Sequence, residues 1–404
     1  MRVSVIGQGY VGLTIAKGAA AAGYEVVGYD IDQQLITNLT MGKTYVPGIN
    51  SNQLIEFINK KLYIPTNNPD LIFNSEVYIL AVPTPLDHNR LTDLSALRSA
   101  ADLLSKGITG KCLVINESTS YPGTLRNFLK PIIDPKSELN VLFAVAPERV
   151  DPGNSQWDLI NTPRVISGLT KEATDYAIDF YSKICNSIHR TESAEIAEAS
   201  KLFENTFRQV NIALANEFSL IADKIGFSSH EAIKAASTKS FGFMPFYPSI
   251  GVGGHCIPID PIYLTECSKK AGEKTPLIDT ANEINQDMNS KVVKRIQNYL
   301  KEDLRGLKIQ VAGISYKTEV SDMRESPAIL LMEQLENLGS LVSWHDPVVK
   351  SFRNKQSEPI NSDIDLGLIV TPHKEIDFSA WKKTGIQVLD LSANSVNFGW
   401  PKFL

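Results

Sequence analysis

The β-branched run Arg2–Ile6 breaks at Gly7-Gln8-Gly9-Tyr10-Val11-Gly12, and a helical apolar pattern follows at once. Few sequence features restrict a fold so tightly. In a strand–GxGxxG–helix unit, Gly7 permits the tight turn, Gly9 lets the backbone come close to a pyrophosphate, and Gly12 allows close strand–helix packing. The first turn of the helix, entered at Tyr10 and Val11, then offers unpaired N–H groups to phosphate.

Further short β-branched runs alternate with helical patterns at Glu25–Tyr29, Val77–Val82, Lys111–Ile115, Val141–Ala146 and Arg164–Ser167. That rhythm reads as a parallel sheet wrapped by helices. Strand patterns return at Lys308–Ala312, Leu341–Trp344, Leu366–Val370 and Gln387–Leu389, and Ile79–Pro83 (ILAVP) is echoed by Leu368–Pro372 (LIVTP). A second α/β domain is expected there, without the glycine fingerprint. A chain of 404 residues exceeds what one core usually organises.

Between these regions, Ser193 to Gly226 holds no internal Pro or Gly and repeats Phe203, Phe207, Val210, Leu214, Phe218, Ile221 and Ile225. Steps of three and four place them on one stripe of a long helix. The stripe needs a partner surface, and packing within its own chain is the default. A second subunit is the alternative. The expected fold is α/β: two Rossmann-like doubly wound domains joined by a long central helix, with boundaries at 1–190, 191–290 and 291–404.

The second strand ends at Asp30, close to the spacing at which a carboxylate meets the adenosine ribose. It would repel a 2′-phosphate, and no Arg or Lys stands in Asp30-Ile31-Asp32-Gln33-Gln34, so NAD is favoured over NADP. Asp32 competes but lies past the strand end. The formal net charge of -5 gives no basic field for nucleic acid or anionic lipid. The apolar runs are far shorter than the ~20 residues of a membrane span, and no signal-peptide pattern is visible. A cytoplasmic address is expected. Cys112, Cys185, Cys256 and Cys267 show no CxxC or paired Cys/His spacing, which argues for reduced thiols and no metal.

Val82-Pro83-Thr84-Pro85 and Ser118-Thr119 follow strands where a doubly wound sheet places ligand loops. Ordinary turn chemistry reads equally well there. The most unusual segment is Phe246 to Tyr263, FYPSIGVGGHCIPIDPIY. Gly251, Gly253 and Gly254 allow close approach of the backbone to a ligand, and Pro258 and Pro261 stiffen the exit. Cys256 therefore sits on a shaped loop, as a nucleophile would, rather than in an apolar element. Asp260 could activate a water or merely stabilise the turn before Pro261. His255 lacks a second ligand cluster. Lys201, Asn205 and Arg208 share a face of the long helix, either solvated or facing substrate.

Taken together, GQGYVG, Ala146-Pro147-Glu148-Arg149, Lys201 with Asn205, GVGGHCIPIDP, and Ser315-Tyr316-Lys317 with Asp322-Met323-Arg324-Glu325-Ser326-Pro327 resemble the UDP-glucose/GDP-mannose dehydrogenase family. The resemblance spans nearly the whole chain in the same order, with GGHC its most specific element. It implies an NAD domain, a central dimer-forming helix and a C-terminal nucleotide-sugar domain. It also implies Cys256 as nucleophile, assisted by Lys201, Asn205 and Asp260, with Glu148 and Thr119 at the oxidised carbon. Gly7, Gly9, Tyr10, Val11, Gly12, Asp30, Pro83, Thr84, Thr119 and Arg324 would hold the cofactor. Glu148, Arg149, Lys201, Asn205, Tyr247, Ser249, Gly251, Gly253 and Lys317 would contact the UDP-sugar.

Within the family, APERVDPGN, ENTFRQVNIALANE and FGFMPFYP look most like UDP-N-acetylglucosamine 6-dehydrogenases. Two departures stand out: Pro152 falls where UDP-glucose enzymes usually carry a second glutamate, and Ser240 sits near the place of an arginine supplied by the neighbouring subunit. Pyrophosphate contacts would then differ, with Lys239 or Arg208 as candidates.

The implied chemistry removes two hydrides from C6, so two NAD molecules act in succession, through an aldehyde and a Cys256 thioester that water releases as the acid. Lys201 would help populate the thiolate and Asn205 would donate to the oxyanion. The product would feed surface polysaccharide synthesis. Alternatives are a UDP-glucose or UDP-N-acetylmannosamine 6-dehydrogenase and a two-electron hydroxyacid dehydrogenase, which would have no use for Cys256. A catalytically idle NAD-binding scaffold would leave that thiol unexplained.

Overall fold

The structure, a computed structural model, describes the 404 residues except 45, 47, 137, 152, 153 and 155. The chain divides into two compact units: Met1–Glu204 with Ile262–Gly272, and Asn205–Pro261 with Glu273–Leu404.

The first unit is built on strands β1 (Arg2–Ile6), β2 (Glu25–Tyr29), β3 (Tyr63–Thr66), β4 (Val77–Leu80), β5 (Leu113–Asn116), β6 (Leu142–Val145), β7 (Arg164–Gly168) and β8 (Ile188–Arg190). Among the described residues they form one sheet in the order β3-β2-β1-β4-β5-β6-β7-β8. Val3, Val5, Ile79, Leu113 and Ile115 are fully buried, as expected where helices cover both faces of a parallel sheet. The chain order reverses between β1 and β4, and the crevice outside the carboxyl ends of strands at such a switch is where doubly wound folds bind ligands.

The sheet departs from the sequence reading in four places. β6 and β7 pair antiparallel, Val145 opposite Ser167. No helix lies between them among the described residues, and without a crossover the chain returns in the opposite sense. β3 escapes the pattern because its four residues include Pro65, and β8 because two of its three residues are exposed. β4 stops at Leu80, two residues before the expected end.

The second unit contains a parallel sheet of β9 (Lys308–Ala312), β10 (Leu341–His345), β13 (Leu366–Ile369) and β14 (Gln387–Asp390), ordered β10-β9-β13-β14, and a small hairpin of β11 (Ser351–Phe352) and β12 (Lys355–Gln356). Its core joins Val311, Trp344, Leu366 and Leu368 to Met288, Val292 and Ile296 of the helix Pro276–Leu300. That helix opens with proline at its first position and closes at left-handed Lys301, φ 55°, the usual proline-in, left-handed-out asymmetry.

The central helix runs Ala194–Ile225, one residue inside the expected span at each end. Its apolar stripe does not face the core of its own chain. Phe203 is 68% exposed, Leu214 61% and Ile225 71%. The buried face carries Ala213, Asn216, Ser219 and Ala222 instead. Small and amide side chains let neighbouring helices come close, which turns the bulky residues outward. No described helix is long and apolar enough to cross a membrane.

Candidate active site

In the first unit, Gly7 adopts φ +92°, and a Cβ there would lie 2.4 Å from the Ala81 carbonyl oxygen. At Gly12 a Cβ would come within 1.8 Å of the Gly7 carbonyl oxygen. Both glycines are demanded by the chain's own packing. Gly9 is different, since a Cβ there would meet no atom within 4 Å. The space it leaves suits a cofactor, and this cradle is the structural sign that a dinucleotide fits. Gly9 caps the helix Tyr10–Ala21 without any side-chain cap, which leaves first-turn N–H groups for phosphate.

The Asp30 carboxylate accepts from Gln8 N at 2.7 Å and from Asp32 N at 3.0 Å. It is half-buried, with acceptor capacity left for ribose hydroxyls. Asp32 is instead the N-cap of the helix Gln33–Thr40, which removes it as the competitor. Gln8, overlooked in the sequence, is fully buried; it donates to Val5 O and Gly7 O and accepts from the Tyr63 hydroxyl at 2.7 Å. It fixes the turn from inside.

Pro83 is exposed, and Thr84 and Thr119 are half-exposed. Ser118 Oγ donates to Val82 O at 2.8 Å, tying the two loops together. The loop after β4 is held further on, where Thr92 donates through N and Oγ1 to Glu266, both at 2.8 Å.

Glu148 is buried, with one carboxylate oxygen accepting from Arg149 N and Val150 N, both at 2.7 Å. The other accepts from both terminal nitrogens of Arg164 at 3.3 Å. Burial alone would raise its pKa, but Arg164, the two backbone donors and Lys201 outweigh it and hold the carboxyl below its ordinary range. Arg164 also pairs with fully buried Glu117, which accepts from the Tyr181 hydroxyl. Burial pushes Glu117 up to about 7 despite the guanidinium. Glu117, Arg164 and Tyr181 went unread in the sequence. Arg149, expected at the substrate, spends its guanidinium on Glu204 at 2.7 Å and Pro163 O at 2.7 Å.

In the second unit, Asn205 Nδ2 donates to Asp260, and both residues are buried. Asp260 begins the helix Asp260–Lys270, and its N–H donates to the Cys256 carbonyl at 2.8 Å. Cys256 is half-exposed, and the four cysteines form no disulfide. Asn205, Asp260 and Cys256 are thus joined through one hydrogen-bonded turn. Gly253 is wedged where a Cβ would meet Pro327 Cδ at 2.7 Å and Glu325 O at 2.9 Å, and Gly254 N donates to Arg324 O at 3.2 Å. The Arg324 side chain folds onto Asp322, donating from Nε at 2.9 Å. Tyr247 stacks on His230 with ring centres 5.3 Å apart. Ser249 Oγ donates to Gly251 O at 2.8 Å, and the Lys317 carbonyl accepts from Ser315 Oγ at 2.8 Å. No group of three His, Cys, Asp or Glu able to hold a metal occurs among the described residues. Pro152 lies outside the described residues.

Three domain models of one family match in sequence: the UDP-glucose/GDP-mannose dehydrogenase NAD binding domain over residues 1–185, the central domain over 195–287 and the UDP binding domain over 310–394. The chain belongs to the UDP-glucose/GDP-mannose dehydrogenase family.

It is an NAD-dependent nucleotide-sugar dehydrogenase. It is 34% identical to the UDP-N-acetyl-D-mannosamine dehydrogenase of Pyrococcus horikoshii over 95% of this chain and 92% of that protein. It is 33% identical to the UDP-N-acetyl-D-glucosamine 6-dehydrogenase of Pseudomonas aeruginosa over 87% of this chain and 84% of that protein. A solved structure of UDP-D-ManNAc dehydrogenase from Pyrococcus horikoshii matches with a TM-score of 0.89 at 32% identity, covering 100% of this chain and 97% of that one. The Gly7-to-Gly12 turn and Asp30 lie inside the NAD binding domain, and Lys317 and Arg324 inside the UDP binding domain.

Proposed function

We propose that this dehydrogenase oxidises the C6 alcohol of a UDP-N-acetylhexosamine to the uronic acid through a thioester on Cys256. The observation that carries this reading is the turn in which Asp260 is held by Asn205 and bonded to the Cys256 carbonyl, with the thiol half-exposed. NAD, when bound, takes up a hydride, so four-electron oxidation consumes two NAD per sugar. The chain must supply a base for the alcohol, a nucleophile for the aldehyde and a route for water. Cys256 adds to the aldehyde carbon, Lys201 and Asn205 steady the oxyanion, and Asp260 with Glu148 and Thr119 manages the water that cleaves the thioester. Glu148, held ionised by Arg164, suits a water-orienting role.

In this reading residues 1–190 hold NAD, 191–290 carry the catalytic loop, and 291–404 with Tyr247, Ser249, Gly251 and Gly253 hold the UDP-sugar. Arg324 would leave Asp322 to meet the cofactor, and Arg149 would contribute through its backbone and its ion pair with Glu204. Two chains would associate through the exposed stripe of the central helix, in the cytoplasm, and the product would serve surface polysaccharide synthesis.

The segments PERVDPGN and FGFMPFYP favour the gluco epimer as substrate. The manno epimer is the second reading, because the relative at 34% identity is named for it. Turnover of both UDP-N-acetyl sugars and UDP-glucose, with NADH counted and product mass measured, separates the choices: two NADH per acid are expected, and fastest turnover of UDP-glucose would reject the N-acetyl assignment. Cys256→Ala should fold and bind both ligands but form no acid, and Cys256→Ser should stall or accumulate a sugar adduct visible by intact-protein mass spectrometry. Wild-type rates of acid formation in either variant would reject the thioester.

A further inference from the structure

Between the central helix and the helix Pro276–Leu300 lie four buried carboxamides. Gln209, Asn216, Asn285 and Asn289 are 1%, 0%, 6% and 2% exposed. Asn285 Nδ2 donates to the Gln209 backbone carbonyl at 3.1 Å, and Asn216 Nδ2 donates to Asn285 Oδ1 at 2.9 Å. Two of them reach one loop: Asn216 Oδ1 accepts from Ser249 N at 2.7 Å, and Asn289 Nδ2 donates to the Ile250 carbonyl at 2.8 Å. Gly251 adopts φ +134°, and a Cβ there would lie 3.3 Å from Asn285 O and 3.5 Å from Asn289 Nδ2.

The amides add more than helix contact, because the helix Pro276–Leu300 is already anchored in the core of the second sheet. Met288, Val292 and Val293 of the same helix are buried apolar residues in the core, and burying an amide in place of a hydrocarbon costs free energy unless its hydrogen bonds are made. What the amides supply is partners for the backbone of Ser249 and Ile250, in a stretch with no helix or strand of its own. Such groups, once buried, demand partners. The linkage is neutral throughout, so it holds the loop in one shape without placing a charge beside a phosphorylated ligand.

We propose that Asn216 and Asn289 are positioning residues for the UDP-sugar, acting through the Ser249–Gly251 backbone and through no contact of their own. The proposal rests on the reading of Tyr247 to Gly251 as a UDP-sugar contact. Steady-state kinetics with the UDP-N-acetylhexosamine that is turned over fastest provides the test. Asn216→Ala should raise KM for the UDP-sugar about tenfold or more, with kcat and KM for NAD within about twofold of wild type. Asn289→Leu, at the second anchor, should shift the same parameter in the same direction and decides the matter if Asn216→Ala misfolds. Asn211→Ala, whose Nδ2 donates only to Phe207 O within its own helix, should change none of them.

An unchanged UDP-sugar KM in folded Asn216→Ala and Asn289→Leu, with a raised KM in Tyr247→Ala, would overturn the positioning role alone. Equal losses in kcat and in both KM values would also overturn it, since they would show that the amides merely hold the fold. If Tyr247→Ala and Gly251→Ala leave the UDP-sugar KM unchanged, the loop is no substrate contact and the underlying reading fails first.

Discussion

The larger sheets of the two domains carry the same turn built for opposite ends. In the NAD binding domain, Gly7 follows β1, its N–H donates to Tyr29 O at 2.8 Å, and Asp30 follows β2. In the UDP binding domain, Gly313 follows β9, its N–H donates to His345 O at 2.8 Å, and Asp346 follows β10. Gly313 has φ +84°, and a Cβ there would lie 1.9 Å from Thr371 O, much as Gly7 abuts Ala81 O. In each case the carboxylate accepts from the residue after the glycine, Gln8 N at 2.7 Å and Ile314 N at 2.8 Å.

The difference lies in what else the carboxylate does. Asp30 accepts from two backbone N–H groups. Asp346 accepts from Ile314, Ser315, Val348 and Val349 and lies 3.2 Å from His373 Nε2, with only 1% of its surface exposed. A carboxylate offers roughly four lone-pair sites, so Asp30 keeps acceptor capacity, as the proposed ribose contact requires, while Asp346 is filled from within. The same backbone device leaves acceptor capacity open in one domain and makes a structural joint in the other.

The comparison breaks most visibly at the carboxylates. Asp346→Ala strands four N–H groups and His373 in the interior and should destabilise the protein by about 3 kcal/mol or more in denaturant unfolding. Asp30→Ala should cost about 1 kcal/mol or less while raising KM for NAD and relaxing discrimination against NADP. Equal stability losses in the two variants would abolish the distinction.

A smaller effect is expected where the second turn carries Ser315 in place of the glycine at position 9. Gly9 has φ -73° and ψ -160°, which any residue can adopt, so Gly9→Ser should leave the melting temperature nearly unchanged yet raise KM for NAD about tenfold or more. A wild-type KM would show that the cofactor does not approach this backbone.

The smallest effect is in pH. Burial raises Glu117 and Glu198 of the first unit to about 7, above the ordinary 4.5. A folded state that binds these protons more tightly than the unfolded chain loses stability as pH rises from about 4.5 to about 7. Asp346 behaves in the opposite sense, since its pKa is lowered: burial acts to raise it, but His373 and the backbone donors prevail. Its contribution is present above the ordinary 3.8 and disappears as pH falls through the depressed value. Hydrogen exchange resolved by peptide should therefore show protection in the first unit falling between pH 5 and 7, with Glu117→Gln flattening the slope. A flat wild-type profile would contradict this assignment.

The glycine turn, Asp30 and most strands were readable because each is written in contiguous residues with a fixed period or spacing. The Glu117–Arg164–Glu148 cluster was not, because Glu117 and Arg164 stand 47 residues apart and meet only when β5 and β7 join one sheet. Gln8 escaped for a different reason: the variable position of a GxGxxG carries no rule, yet here its side chain locks the turn. The second domain was recognised from its strands, but its shared turn was hidden because Gly313-Ile314-Ser315 matches no fingerprint. On the central helix the apolar period was plain and its direction was not, since a stripe facing solvent and one facing a core have the same spacing.

That outward stripe has a consequence for handling the protein. Phe203, Leu214 and Ile225 are exposed in the single chain, and if the proposed dimer covers them the protein is stabilised by mass action. Its melting temperature should climb with protein concentration, and dilute assays should lose activity with time unless the stock is kept concentrated.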